Sequence, residues 1–158
     1  NGLASVMTAH VVYEALDPAV PATLSPTILR ALLREDLGFD GLVLTDDLEM
    51  HAIIDHYGIE EAAVRAFLAG ADMLLICKDQ DRELAAMDAI LTAVKDGTIS
   101  EARLEASLRR IARVKERYVL PYEPARVPEA KAVVGCPAHR AVLARVTEGR
   151  GRRASVAV

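Results

Sequence analysis

Three short apolar runs, each followed by a helical segment, constrain this chain more than any other feature. Ala4 to Thr8, Leu42 to Leu44 and Asp72 to Cys77 are near-continuously apolar, and they recur at a spacing of roughly 30 residues. Buried parallel strands read this way, because helices cover both of their faces. The intervening segments carry helical period and punctuation. Ser25-Pro26 opens a helix, with serine at the cap and proline in the first turn. Ile28, Leu29, Leu32 and Leu33 fall on one face, and Gly38 closes the helix. A loop is expected from Asp46 to Gly58. Helices are expected over Ile59 to Leu68 (ending at Gly70), Arg82 to Val94 and Ser100 to about Tyr118. Right-handed βαβ units around a parallel sheet follow from this alternation. Three parallel strands close no barrel, so the sheet is either small and open or completed by strands upstream.

After Tyr118 the character changes. Pro121, Pro124, Pro128 and Pro137 mark a connecting segment. Ala138 to Val146 reads as one short helix, and Gly149 to Arg153 as a solvated, frayed tail. Composition excludes several classes. Hydrophobic residues are 52% but aromatics only 4%, with no Trp, which suits aliphatic helices packed on strands. A net charge of −4 argues against a nucleic-acid partner, which selects a basic stripe. No run of about 18 apolar residues is present to span a membrane. The missing signal peptide carries no information, because the chain starts at Asn1 within a pattern. Cys77 and Cys136 are too isolated to form a disulfide framework or a metal site. Cys77, ending a strand, reads as an inert core thiol.

Asp46 is the leading candidate for chemistry. A carboxylate at the C-terminal end of a parallel strand stands where α/β barrels and open α/β sheets place their reactions. Its plainer reading is the N-cap of the following turn. Asp47 beside it points elsewhere, because successive strand side chains alternate. His10 ends the first strand and reads equally as a ligand contact or a structural hydrogen-bonding group. Met50 reads first as a core filler. His51 and His56, with Asp55, lack the spacing of a helical metal-ligand pair. Asp72 is expected to cap or pair locally. Arg109, Arg110, Arg113, Lys115 and Arg117 read as a solvated helix face.

The segment LLREDLGFDGLVLTDDLEM resembles the nucleophile strand of family 3 glycoside hydrolases, where a helix and a Gly-Phe-Asp-Gly turn lead to (S/T)-Asp-Asp-Leu-x-Met. Ser5 to Val11 (SVMTAHV) resembles the preceding family strand, and Gly70 to Leu75 (GADMLL) the following one. The likeness runs from about Ser5 to Tyr118. It implies a (β/α)8 TIM-barrel fold, of which this chain holds the last three strand-helix units in residues 1–119. A connector toward a second domain would occupy 120–158, since Val134 to Val146 resembles that connector. The Arg-Gly-rich end departs from it, as a truncated or shifted reading frame would. The resemblance makes Asp46 the nucleophile of a retaining mechanism. It brings His10 and Met50 to the sugar, with Met50 against the N-acetyl group.

Branches of the family differ after the nucleophile. The β-glucosidase-like branch has Trp there, where this chain has Asp47, so the resemblance favours the β-N-acetylhexosaminidase branch. In that branch an Asp–His pair on a Lys-His-(Phe/Tyr)-x-Gly-His-Gly loop supplies the acid/base. No such run occurs in this chain. The implied reaction removes a terminal β-linked N-acetylglucosamine without metal or organic cofactor. Implied substrates are peptidoglycan-derived muropeptides, as in peptidoglycan recycling, or chitin oligosaccharides. A family 3 β-glucosidase and a non-catalytic sugar-binding barrel remain as alternatives. Such proteins work in the cytoplasm and outside the cell, with the cytoplasm slightly favoured. Without the N-terminal half of its barrel and the acid/base loop, the chain alone is expected to be inactive.

Overall fold

A computed structural model of the chain describes residues 2–153, with side chains described through Glu148. The described residues form two compact units that divide between residues 120 and 121. In the first, three parallel strands make one sheet in the order β1 (Ser5–Met7), β2 (Leu42–Asp47), β3 (Met73–Leu75). Chain order and sheet order coincide, so each crossover carries helix and each strand pairs with its sequence neighbour. β1 and β2 pair in register from Ser5↔Leu42 to Met7↔Leu44. The mixed α/β architecture is the expected one.

A 3-10 turn (Ala22–Leu24) and a π-helix (Thr27–Asp36) connect β1 to β2. The Ser25 hydroxyl accepts the Ile28 N–H at 3.1 Å and donates to Asp17 Oδ2 at 2.6 Å, so the Ser-Pro start is tied down from both sides. The helix expected from period 3.6 is wound more widely, and its last turn bonds Leu37 N–H to Leu32 C=O. The Gly-Phe-Asp-Gly turn then aims the chain into β2. Gly38 takes φ +64°, the left-handed conformation that ends the helix. Gly41 has no room for a side chain, because a Cβ there would lie 2.8 Å from the Ala4 carbonyl and closer still to the Phe39 ring. That close approach lets Leu42 N–H reach Ala4 C=O at 3.0 Å and starts the β1–β2 ladder.

Helix α1 (His51–Tyr57) occupies the stretch expected to be a loop. Its residues carry no strong helix signal. Burial decides it: Ile53 is fully buried and packs in the core with Leu48, Val43 and Ile59. Helix α2 (Ile59–Ala69) lays a small-residue face, Ala62, Ala63, Ala66 and Ala69, into the same core, so it approaches the sheet closely. β3 is shorter than the apolar run, Met73–Leu75 rather than Asp72 to Cys77. Helix α3 (Gln80–Lys95) starts on an Asp79 cap that accepts from Asp81 and Arg82 N–H. A second cluster of Phe67, Ala93 and Ile99 joins α2 to α3 and to Leu104 of α4 (Glu101–Tyr118).

Two expectations about charge are corrected here. Asp72 neither caps nor pairs locally. Its carboxylate is fully buried and accepts from Arg34 Nη2 (2.5 Å), Val43 N–H (3.0 Å), Ser107 Oγ (2.7 Å) and Arg110 Nη1 (3.2 Å), with Arg103 Nη1 at 3.7 Å. It draws the π-helix and α4 onto the start of β3. The arginines of α4 are accordingly not one solvated face. Arg110 and Arg113 both bind Asp40 of the turn, and Arg110 also faces Asp72. Arg109 keeps only an exposed pair with Glu105. A buried carboxylate needs partners from several elements, and those partners are distant in sequence.

The second unit contains two helices, α5 (Val127–Val133) and α6 (Pro137–Arg153). The proline-marked connector thus contains a helix of its own, with Pro128 in its first turn. The expected short helix is longer, and its backbone is helical through Arg153. The solvation expected of Gly149 to Arg153 lies outside the described side chains. Cys136 lies in the loop between α5 and α6, half-buried, and its carbonyl accepts from Arg140 N–H in α6. No helix among the described residues is long and apolar enough to cross a membrane.

Candidate active site

The C-terminal ends of the three strands gather the candidate residues. Asp46 is the second-last residue of β2, part-exposed, with Oδ1 accepting the N–H of Asp47 at 2.8 Å. Its Oδ2 has no hydrogen-bond partner among the described residues. The turn-capping role belongs to Asp47, whose Oδ1 accepts the Glu49 N–H at 3.1 Å. Asp46 is therefore spared for other work.

The register of β2 against β3 breaks at this point. Leu44 faces Met73 and Asp47 faces Leu75, so three steps along β2 oppose two along β3. The extra residue is a β-bulge, the usual device for re-aiming a side chain beside a site. Buried Thr45 sits in it, and its Oγ1 accepts the Leu75 N–H at 2.9 Å.

His10 uses both ring nitrogens. Nε2 donates to the Asp47 carbonyl at 2.9 Å, and Nδ1 lies 2.8 Å from the Thr23 hydroxyl. Thr23 Oγ1, fully buried, in turn lies 2.7 Å from Thr8 Oγ1. This relay ties the end of β1 and the 3-10 turn to the backbone beside Asp46. Met50 caps α1 and is 45% exposed, so the core-filler reading fails. It had been expected inside because methionine usually packs. Here it precedes a helix that buries Ile53 in its place.

Glu49 carried no sequence signal beyond the x of the motif. Its side chain is 5% exposed, and Oε2 accepts three successive backbone N–H groups, of Cys77 (3.1 Å), Lys78 (2.6 Å) and Asp79 (3.2 Å). Arg82 Nη1 faces Oε1 at 3.3 Å. Burial pushes the Glu49 carboxyl up, but the N–H groups of Lys78, Asp79 and Cys77 and the charge of Arg82 outweigh it and hold it below its ordinary value. Glu49 thereby clamps the loop after β3 against the Asp46 turn. Cys77 in that loop is exposed, not a core thiol, because β3 ends two residues earlier. Loss of solvent around the sulfur, then the charges of Asp47, Glu49 and Asp46, push the thiol up, so it is a poor nucleophile.

His51 and His56 lie on the exposed side of α1, with His51 Nδ1 2.9 Å from Asp55 Oδ2. Among the described residues no group of three or more His, Cys, Asp or Glu side chains converges as metal ligands would. Chemically the site offers one part-exposed carboxylate at a strand end, with one oxygen held by a backbone N–H.

The chain is similar to known proteins of one family. The glycosyl hydrolase family 3 N terminal domain matches residues 1–114. Beta-hexosaminidase A of Pseudoalteromonas piscicida is 32% identical over 90% of this chain and 27% of its own length. The beta-hexosaminidase of Nitrosomonas eutropha is 41% identical over 66% of this chain and 29% of its own. The chain thus spans less than a third of these curated relatives. Among solved structures, a family 3 beta-N-acetylglucosaminidase from Paenibacillus sp. str. FPU-7 superposes with a TM-score of 0.76 at 46% identity, over 79% of this chain and 24% of that one. The beta-N-acetylglucosaminidase from Thermotoga maritima gives 0.65 at 35% identity, over 70% and 24%. The strand carrying Asp46, the helices around it and most of the sequence thus lie within one domain type, and this chain belongs to glycosyl hydrolase family 3.

Proposed function

We propose that the chain is the C-terminal part of the (β/α)8 barrel of a retaining β-N-acetylhexosaminidase, with Asp46 as nucleophile and residues 120–158 as a connector to further sequence. The observation that carries the reading is the setting of Asp46. It stands at the end of a buried parallel strand, one carboxylate oxygen held by a backbone N–H and the other open. The names of the relatives support N-acetylglucosamine as the sugar. The other half of the barrel would bring the remaining sugar contacts and the acid/base loop, and the chain alone would be inactive.

In the first step a lone pair of the Asp46 carboxylate forms a bond to the anomeric carbon. The glycosidic C–O bond breaks, and its electrons stay on the leaving oxygen, which takes a proton from the acid outside this chain. Water then attacks the same carbon and gives its proton to that group, and Asp46 departs as a carboxylate, with net retention. This chain's own contribution is orientation. His10 holds the backbone carbonyl of Asp47, Glu49 holds the loop after β3 beside it, and the exposed Met50 would pack on the N-acetyl group. The natural substrate would be an oligosaccharide or muropeptide ending in β-linked N-acetylglucosamine.

The test is hydrolysis of an aryl β-N-acetylglucosaminide by the full-length protein and its Asp46→Ala variant. Turnover that falls by at least about 10³-fold in the variant is expected. Equal turnover in both removes Asp46 from the mechanism. Turnover of the aryl glucoside alone would transfer the activity to the β-glucosidase branch.

A further inference from the structure

We infer that Thr45 is a positioning residue for the nucleophile, acting through the β-bulge that aims Asp46. The inference rests on Asp46 being the nucleophile and adds a reason for the hydroxyl residue that precedes it. In an unbroken parallel ladder the Leu75 N–H would bond a backbone carbonyl of β2. The register breaks between Leu44 and Asp47, so the ladder does not run on regularly there. Leu75 is partly buried, and an N–H left without a partner there costs stability, so a bulge here calls for a substitute acceptor. Thr45 Oγ1 supplies it at 2.9 Å, from a side chain with no solvent exposure. Backbone pairing resumes immediately beyond, where Leu48 N–H donates to Leu75 C=O at 2.9 Å. Leu75 is thus held through its N–H by the bulge and through its C=O by the resumed ladder, with Asp46 between the two.

Chemistry narrows what can stand at position 45. The acceptor must lie one bond from Cβ to reach a neighbouring strand's backbone from within the bulge. Serine and threonine meet that condition; valine has threonine's shape without the acceptor. The same geometry sets the direction of Asp46, because closing the bulge by one residue would turn every later side chain of β2 to the opposite face.

The experiment compares Thr45→Val, Thr45→Ser and Asp46→Ala in the full-length protein on an aryl β-N-acetylglucosaminide. Active sites are counted by trapping with a fluorinated N-acetylglucosamine analogue, so that lost folding is separated from lost rate. Thr45→Val should lower kcat per trapped site by about 10- to 100-fold with KM within about threefold, because a misplaced nucleophile costs rate rather than binding. Thr45→Ser should restore kcat to within about threefold of wild type. If Thr45→Val yields no folded enzyme, Thr45→Cys, a weaker acceptor of similar size, should show the same loss of kcat per site in milder form. Wild-type kcat per site in the Val or Cys variant, or equal losses in Ser and Val, would overturn the inference. Activity that survives Asp46→Ala overturns the nucleophile reading and this inference with it. An inactive Asp46→Ala beside a fully active Thr45→Val overturns this inference alone.

Discussion

Replacing Asp72 by Asn should weaken the fold far more than an isosteric change suggests. Every group that faces the carboxylate is a donor: Arg34 Nη2 and Val43 N–H on Oδ2, Ser107 Oγ and Arg110 Nη1 on Oδ1, with Arg103 alongside. An Asn side chain has one acceptor and one NH2. The NH2 is tolerable only on the Oδ1 side, where the Ser107 hydroxyl can turn and accept. Arg110 and Arg103 then face a donor, and Arg34 loses its counter-charge. Removing one partner of a buried ion pair costs about 3–5 kcal/mol. The arginine side chains are 11–21% exposed and Arg110 retains Asp40, so the lower end, about 3 kcal/mol, is the better value. That is a large share of a typical net stability of about 5–15 kcal/mol. For a domain of 150–250 residues it corresponds to a fall in Tm of roughly 6–12 °C. Urea unfolding of the full-length protein, wild type against Asp72→Asn, measures it as a shift in midpoint at unchanged slope. A loss under about 1 kcal/mol would show that the arginines redistribute to Asp40 and solvent, and that Asp72 is not the charge that holds α4 to the sheet.

Two further outcomes are expected. The Glu49 carboxyl is held below its ordinary value, so its contribution is complete above about pH 4.5 and is lost as pH falls from there through the lowered native value. The stability gap between wild type and Glu49→Gln should therefore be constant near neutrality and close in acid; urea midpoints at pH 7 and pH 3.5 decide it, and an equal gap at both would show that the charge contributes nothing. The isolated 158-residue chain should bind a hydrophobic dye and unfold without a cooperative transition, because Met7 on edge strand β1 and the Leu84, Met87 and Leu91 stripe of α3 are about half exposed or more. A cooperative thermal transition at monomeric mass would refute this.

The parallel α/β pattern could be read from the strands' continuous apolar character and from the cap at Ser25, since burial on two faces and helix starts both leave local marks. Helix α1 could not, because its seven residues lack a strong period and form a helix only where Ile53 has a core to enter. The strand end bearing Asp46 was legible as a place for chemistry, and His10 as a group with two possible roles. Which hydrogen bonds His10 makes was not legible, because its partners Thr23 and Asp47 lie 13 and 37 residues away.

Glu49 and Asp72 mark the same limit more sharply. Glutamate in a turn and aspartate before a strand are ordinary in sequence, and arginines spaced along α4 look like a solvated face. Each gains its role from groups 28 to 38 residues distant. Sequence by itself determined the three strands, the main helices between them, their order and the acid at the strand end, because helical period, strand apolarity and turn chemistry act over a few neighbouring residues. Tertiary structure decided the bulge at Thr45, the clamp of Glu49 and the arginine shell of Asp72. Those depend on which backbone donors and buried charges meet across elements, and no local pattern encodes a partner that far along the chain.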